Sequence, residues 1–426
     1  MITVEEHLAR ILDQVEPGEE VALPLDEAGG LVLAQDVTCG VDLPRFDNSA
    51  MDGYAVVAAE LEGVDPEHPK LLPVQGDIAA GAGEPHTHTP GSVWRIMTGA
   101  PVPEGADSIV PLEDTDERPH EVLIKVAPRE GAHVRRAGED ARVGDLLVRA
   151  GTTIGPAEVA VIASAGISTV RVLAPVRVVV LSTGDELVPL GSTPGPGQIQ
   201  DSNGPMLVSA VRRAGYYASH LGHLVDDEKS IKAEITHHLD HADVIITTGG
   251  VSKGAYDAVK AVLTGEGSME FSEVAMQPGK PQGFGLLGKR KVPVFTLPGN
   301  PVSALISFEV FIRPALAKIS GRLDQPVVLP ALVVEGWRTP EGRRQYARVR
   351  LSRDLTGEYA CEPAGGPGSH LVAGLAAADG LAIIDADAEE VQAGEEVQVH
   401  LLRPLPEIEA RLAAQEESDA EDEDQG

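Results

Sequence analysis

Aromatic side chains are nearly missing from this sequence: Phe, Trp and Tyr together make up 3% of it. Its cores must therefore be built from Val, Leu, Ile and Ala, and stacked aromatic platforms are not expected as a way of holding nucleic acid. Positive charge is also scarce. Lys and Arg number 34 against 66 Asp and Glu, a formal net charge of -32 at pH 7, which repels nucleic acid and anionic membranes at long range. A phosphorylated or oxyanionic ligand must then be captured by local donors working against that field. Cysteine is almost absent. Cys39 and Cys361 lie far apart and match no metal spacing, so no disulfide framework is expected and a reducing compartment is the natural reading. The longest apolar stretches, such as Val159–Ile167, reach about half of the roughly 20 residues a spanning helix needs. Met1–Arg10 carries acids and no apolar h-region, so no signal peptide is expected. The expected location is the cytoplasm, with no nucleic-acid and no membrane partner.

Several motifs are missing too. Gly279-Lys280 is followed by Pro281 rather than Ser or Thr, so there is no Walker loop. Gly195-Pro196-Gly197 lacks the third glycine and follows no strand, so there is no dinucleotide fingerprint. No G-x-S-x-G element supports a serine hydrolase, and Ser369-His370 are neighbours that cannot readily face each other as nucleophile and base. His86, His88, His237, His238 and His241 have no cysteine partners and read as surface histidines rather than zinc ligands.

What is present is an ordinary globular balance, 42% hydrophobic and 23% charged, over 426 residues, enough for two to four domains. Thr3–Val15 reads as an amphipathic helix with Thr3 and Glu6 as a capping box. Residues 42–138 are rich in Pro, Gly and short alternating segments, such as Ser108–Pro111 and Glu121–Val126, the pattern of a small β domain. From Pro175 the pattern becomes strand–helix. The strands are Val176–Ser182, Tyr217–Leu224, Asp243–Thr248 and Val292–Leu297, and the helices Asn203–Ala214, Glu228–Leu239 and Val302–Lys318. That alternation predicts a three-layer α/β domain with a parallel-type sheet. After Arg322, Val327–Val334, Gln345–Ser352, Gly380–Ile384 and Glu396–Leu401 predict a compact β-barrel-like domain. The expected division is an α/β domain over 1–27 and 175–325, a connecting domain over 28–41 and 139–174, and a β-rich domain over 42–138. A C-terminal barrel over 326–405 and an acidic, disordered tail over 406–426 complete it.

Three of the α/β strands end in Gly- or Pro-rich turns, at the strand ends where open α/β sheets bind ligands. The turns are Ser182-Thr183-Gly184-Asp185-Glu186-Leu187, Thr247-Thr248-Gly249-Gly250-Val251-Ser252 and Leu297-Pro298-Gly299-Asn300-Pro301-Val302-Ser303. One such motif reads as a tight turn; three on neighbouring strand ends predict a site. Consecutive glycines turn N–H groups toward an anion, and a following helix N-terminus adds positive potential. Pro301 suits the first turn of the next helix and Ser303 its capping. Asp185, Glu186 and Asp257 are candidates to hold Mg²⁺ against ligand phosphate oxygens. Lys280, Arg343, Arg344 and Arg348 are the candidate anion donors. The stretch Phe46–Ala55, with Asp47, Asn48, Ser49 and Asp52, is a polar loop that spacing alone does not assign.

The ordered set Phe46–Ala55, Arg95–Ala100, Ser182–Leu187, Asp201-Ser202-Asn203, Thr248–Ser252, Pro278–Pro281 and Leu297–Ser303 resembles the molybdopterin molybdenumtransferase family, to which the gephyrin E domain belongs. The resemblance runs from about residue 1 to 405. It implies an elongated homodimer of four-domain subunits with the active site between them, and an α/β domain like that of molybdopterin adenylyltransferases. The implied reaction takes adenylylated molybdopterin and molybdate, with Mg²⁺, and yields molybdenum cofactor and AMP. By the same resemblance Asp52, Thr98, Glu186, Asp226, Asp257 and Lys280 are catalytic. Ser182, Thr183, Gly184, Asp185, Thr248, Gly249, Gly250, Ser252, Pro298, Gly299, Asn300, Pro301, Ser303, Arg343 and Ser369 bind substrate, the last two as molybdate ligands. Handover from an adenylyltransferase is a further implied partnership. Two other readings stay open: adenylyl transfer to molybdopterin, which ATP consumption would reveal, and a scaffold of the gephyrin type.

The sequence departs from the resemblance at Gln277, where many relatives carry Lys, and Lys253 is expected to supply the missing charge. Lys253→Ala should then weaken the apparent molybdate affinity in a titration; an unchanged affinity would end the compensation idea.

Overall fold

In the computed structural model, which describes residues 1–81, 83–249, 258–354 and 356–424, the chain leaves one compact unit and later returns to it. Met1–Glu20 and Leu173–Gly426 make the first unit, and Val21–Val172 the second. Residues 21–27, expected with the α/β domain, belong to the second unit instead. The strand Glu20–Pro24 pairs with Thr169–Leu173, and Leu25 and Ala28 pack with Leu33, Ile154 and Ile162. Burial of those side chains outweighs continuity with the N-terminal helix.

The second unit also carries a five-stranded sheet in the order Ser108–Pro111, Gly53–Val56, Val93–Ile96, Lys70–Ile78, Glu121–Ile124. Gly53 is required there. A Cβ on it would come 2.1 Å from the Val110 carbonyl oxygen, so any side chain would force apart the strands that bracket the Asp52 turn.

In the first unit, α1 (Val4–Gln14) starts at the expected capping box: Thr3 Oγ1 accepts from the Glu6 N–H, and Glu6 returns the bond to the Thr3 N–H. The α/β sheet comprises β1 (Arg177–Thr183), β2 (Tyr217–Leu224), β3 (Val244–Thr248), β4 (Glu270–Glu273), β5 (Pro281–Leu287) and β6 (Val292–Leu297). Their order is β2-β1-β3-β6-β5-β4. The first four are parallel, as predicted. β5 and β4, which the strand–helix alternation did not reveal, add antiparallel to β6, so the sheet is mixed. Alternation along β1 explains the three layers. Val178 and Val180 pack with Leu207 and Val211 of α2 (Asn203–Arg213) on one face. Val179 and Leu181 pack with Ile231 and Ile235 of α3 (Glu228–His238) on the other. After β6, α4 (Pro301–Ser307) runs on through a π-wound stretch, Phe308–Ile312, into Arg313–Ser320.

The C-terminal strands are β7 (Val328–Val333), β8 (Arg344–Arg353), β9 (Tyr359–Pro363), β10 (Gly380–Ile384) and β11 (Glu396–Leu401). They close into a barrel in the order β8-β9-β7-β11-β10, sealed by β8 against β10. The expected tail is corrected: α5 (Leu405–Asp424) is a helix. Ile408 and Leu412, one turn apart, are buried against the barrel, and Arg411 donates to Asp379 Oδ2 at 2.6 Å. These two apolar positions were hidden in the sequence by the acids around them.

Barrel and α/β domain meet at Glu309, 3% exposed, on the π-wound turn. It accepts from Arg213 at 3.1 Å and Arg313 at 2.9 Å, and His400 Nε2 of β11 lies 3.5 Å from its Oε2. Burial alone would push this carboxyl up, but His400 and Arg313 together hold it below its ordinary value. A carboxyl lowered in the folded state stabilises above its unfolded pKa. That stabilisation begins to be lost below the ordinary value of 4.5 and disappears as pH falls through the lowered native value. Glu309→Ala leaves Arg313 its pair with Asp324, so it should cost about 1–3 kcal/mol through the donors that lose their acceptor and should flatten the acid limb of a melting-temperature profile. An unchanged profile would show that the junction does not depend on this carboxylate.

Candidate functional site

The chain order β1, then β2 on one side and β3 on the other, puts a topological switch point between β1 and β3, where open α/β sheets bind ligands. A cleft of about 1030 Å³ lies there, lined by residues from both the α/β domain and the barrel. Its floor is backbone. Ser182 pairs in register with Thr248, so the turns after β1 and β3 end side by side. At Gly249, with φ +94°, a Cβ would stand 2.4 Å from the Thr183 carbonyl oxygen. Only glycine lets the two turns approach this closely.

From the α/β domain the cleft gathers Thr183, Gly184, Glu186, Asp226, Thr248, Gly249, Lys280, Pro298, Gly299, Asn300, Pro301 and Ser303; from the barrel, Arg343 and Ser369. These are most of the residues that the sequence offered for this unit. Two are placed differently. Ser182 is fully buried beneath the rim. Asp185 does not line the cleft; its Oδ1 accepts the Asp226 N–H at 3.0 Å. Gly250, Ser252, Lys253 and Asp257 lie outside the described residues. Among the described residues no group of three or more His, Cys, Asp or Glu is placed to hold a metal ion. The Asp226 carboxyl is pushed up by partial burial and then by the negative charges of Asp185 and Glu186, so the rim crowds carboxylates together.

The cations sort into three kinds. Arg343 lines the cleft without an ion pair among the described residues. Lys280 lines it too but holds Glu273 Oε2 at 3.0 Å. Arg344 and Arg348, the other candidate anion donors, serve elsewhere. Arg344 reaches Glu5 and Asp385. Arg348, 6% exposed, donates to the carbonyl oxygens of Gly366, Gly368 and Leu371. Burial lowers its pKa, and the three carbonyls accept from its two terminal nitrogens. It thereby fixes the loop that carries Ser369.

That loop also answers the capping question at α4. Ser303 makes no side-chain cap, contrary to expectation; the N-cap is Asn300 and Pro301 opens the helix. The free Val302 N–H donates instead to the Ser369 carbonyl at 3.2 Å. Asn300 Nδ2 donates to Ser369 Oγ at 2.8 Å. Barrel loop and phosphate-type turn are therefore joined at the cleft wall.

In the second unit, Asp52 and Thr98 meet. Asp52 Oδ1 accepts from the Thr98 N–H at 2.7 Å and from its hydroxyl at 2.8 Å. The backbone N–H, then the hydroxyl, hold the carboxyl below its usual value. Sequence reasoning assigned no role to Asp201, Asn203, Gln277 or His370, all of which line the cleft. For the first two a signal existed: an acid two residues before a helix and an amide at its first position.

Residues 2–166 match the MoeA N-terminal region (domain I and II), 179–318 a probable molybdopterin binding domain, and 331–402 the MoeA C-terminal region (domain IV). Fold and cleft thus define a protein of the MoeA class, in which a molybdopterin-binding α/β domain is joined to a closed C-terminal barrel. Molybdopterin molybdenumtransferase 2 of Mycobacterium tuberculosis is 42% identical over 410 residues, 94% of this chain and 99% of that one. The Haemophilus influenzae molybdopterin molybdenumtransferase is 33% identical over 94% of this chain and 100% of its own. A molybdopterin biosynthesis MoeA protein from Pyrococcus horikosii superimposes with a TM-score of 0.77 at 31% identity, covering 95% of this chain and 100% of that one. The chain belongs to the molybdopterin molybdenumtransferase family, whose members are transferases of molybdenum-cofactor biosynthesis.

The Arg348 clamp is open to test. Arg348→Lys keeps a charge but cannot reach three carbonyls, and each buried group left unpaired costs about 1–3 kcal/mol. Amide exchange over 364–372 should accelerate while the barrel strands stay protected. Uniform exchange across the barrel would show a general packing role instead.

Proposed function

We propose that the cleft takes adenylylated molybdopterin together with molybdate, and that the protein completes the molybdenum cofactor with release of AMP. The observation that carries this reading is the switch-point cleft itself, with glycine turns on one wall and, from the barrel, Ser369 and an Arg343 that has no ion pair among the described residues on the other. In balance, both dithiolene sulfurs bind the molybdenum while one molybdate oxygen leaves as water with the two thiol protons. A second water hydrolyses the phosphoanhydride to AMP and the pterin phosphate. The turns at Thr183–Gly184, Thr248–Gly249 and Pro298–Pro301 would receive the phosphates through backbone donors in a site partly shielded from water. Arg343, with Lys280 once it is released from Glu273, would neutralise the oxyanion.

Glu186 and Asp226 face the cleft, and the Asp226 carboxyl is raised by burial and then by the nearby charges of Asp185 and Glu186. That donor set fits Mg²⁺, with Asp257 and ligand oxygens as the further groups the reading calls for. Bound there, the ion would supply charge neutralisation across the phosphoanhydride. Asp52 and Thr98 act in the same reaction in this proposal, within a homodimer. The setting is the cytoplasm, where the adenylylated substrate arrives from a molybdopterin adenylyltransferase; no described helix is long and apolar enough to cross a membrane.

The test mixes the purified protein with adenylylated molybdopterin, molybdate and Mg²⁺, and follows AMP release beside cofactor formation. Molybdate-dependent release, reduced about 10²-fold or more in Glu186→Ala, is the expected outcome. An intact substrate, with ATP and molybdopterin consumed instead, would replace the reading by adenylyl transfer.

A further inference from the structure

Beneath the cleft rim, one side chain adds to the backbone bond from the Gly249 N–H to the Leu297 carbonyl, 3.2 Å, in joining two turns. Asn203 opens α2 and is 9% exposed. Its Nδ2 donates to Thr248 Oγ1 at 2.8 Å and to the Gly299 carbonyl at 2.6 Å. The Thr248 hydroxyl in turn lies 3.4 Å from the Pro298 carbonyl. One amide thus ties the turn after β3 to the turn after β6, and both turns line the cleft. The chemistry is selective. An amide nitrogen carries two N–H donors, and both are used here; a carboxylate at the same place would set an acceptor against the Gly299 carbonyl.

Asn203 is itself held from below. Asp201, 3% exposed, accepts the Gly204 N–H at 3.0 Å and so caps the first turn of α2. Its other oxygen lies 3.1 Å from His220 Nε2, which comes from the edge strand β2. The imidazole rests directly on that turn: a Cβ on Gly204 would stand 2.2 Å from Nε2. Burial raises the Asp201 carboxyl, but His220, the Gly204 N–H and the Ser182 hydroxyl together hold it below its ordinary value. The links run in order from β2 through His220, Asp201 and the start of α2 to Asn203, and from there to the two turns.

We propose that Asn203 is a positioning residue for the reaction, fixing the turns at Thr248–Gly249 and Pro298–Gly299 relative to each other, and that the Asp201–His220 pair fixes Asn203. None of the three needs to touch the reacting atoms. Catalytic donors must be held to within about 0.5 Å, and a misplacement of about 1 Å costs on the order of 10²-fold in rate. A tie between the two turns therefore acts on turnover before it acts on ground-state binding. The kinetic part of the test rests on the transferase reading above; the exchange part does not.

The experiment uses the full-length protein with Asn203→Ala, His220→Leu and His220→Gln. In AMP release, Asn203→Ala should lower kcat about 10²-fold with KM changed less than about 3-fold. His220→Leu should lower kcat about 10-fold, and His220→Gln, which keeps an N–H for Asp201, should recover most of that loss. Deuterium exchange without any ligand should rise at 247–249 and at 298–302 together in Asn203→Ala, with the sheet strands still protected. A rise in KM with kcat preserved would make Asn203 a ligand contact and overturn the proposal. So would equal losses in the Leu and Gln variants, or exchange that rises only within α2. If Asn203→Ala does not fold, the two His220 variants decide by the same kinetic and exchange readouts. If the wild type releases no AMP, the transferase reading falls and the exchange pattern alone decides the positioning role.

Discussion

The parallel pairing of β1 with β3 is the constraint on which the rest of the cleft depends. It brings Ser182 opposite Thr248, so both strands finish at one level and their turns compete for the same space. Glycine at 249 resolves that competition, since a Cβ would press on the Thr183 carbonyl at 2.4 Å. Once the turns touch, their N–H groups crowd one rim, and that rim attracts anions without any formal charge. The helices on the two faces are held by alternate residues of the same strand: Val178 and Val180 toward α2, Val179 and Leu181 toward α3. Strand burial and site geometry are therefore one requirement, met by a run buried from Val178 to Thr183 that could not have been half exposed.

The barrel enters through the same logic of unsatisfied backbone. A helix start leaves N–H groups without partners, and at α4 one of them is satisfied by a carbonyl from the barrel, Ser369 O on Val302 N. The loop can serve because Arg348 holds three of its other carbonyls. On the far side Glu309 joins Arg213 and Arg313 beside His400. Two of the polar junctions between the domains thus lie one at the cleft and one behind it. A buried junction of this kind is weak evidence for extra stability but fixes relative orientation, and here orientation places Arg343 and Ser369 on the cleft wall.

Much of this was legible in the residues. The capping box at Thr3 and Glu6, the four parallel strands and the three strand-end turns carry periodic or capping signals that act locally, and tertiary packing agrees with them. Four features were not legible, each for a physical reason. β5 reads Pro-Gln-Gly-Phe-Gly-Leu-Leu, and its glycines weaken any strand signal even though they let neighbouring backbone and side chains approach. The helix α5 was masked by its acids, because two buried residues a turn apart do not register against such a charge density. Arg348 looked like an oxyanion ligand since composition cannot say which way a guanidinium points; only the loop carbonyls show that it faces its own chain. Asn203 was part of a recognised motif, but its two bonds join residues 45 and 96 positions away, and no spacing rule reaches across separate strands.

The overall charge sharpens the last step. With 66 acids against 34 Lys and Arg, the long-range field opposes any anionic ligand, and most cations near the cleft are already committed: Lys280 to Glu273, Arg344 to Glu5 and Asp385, Arg348 to carbonyls. Arg343 stands apart on the cleft wall. Capture must then rely on oriented backbone, whose partial charges act only at contact distance and are not screened as formal surface charges are. Such donors attract only what fits, because a misplaced N–H contributes almost nothing beyond hydrogen-bond range. The geometry of the turns therefore has to be enforced by neighbours that carry no net positive charge. An amide at position 203, tied to two turns and seated on a capped helix start, meets that need where another lysine would have strengthened attraction without fixing shape.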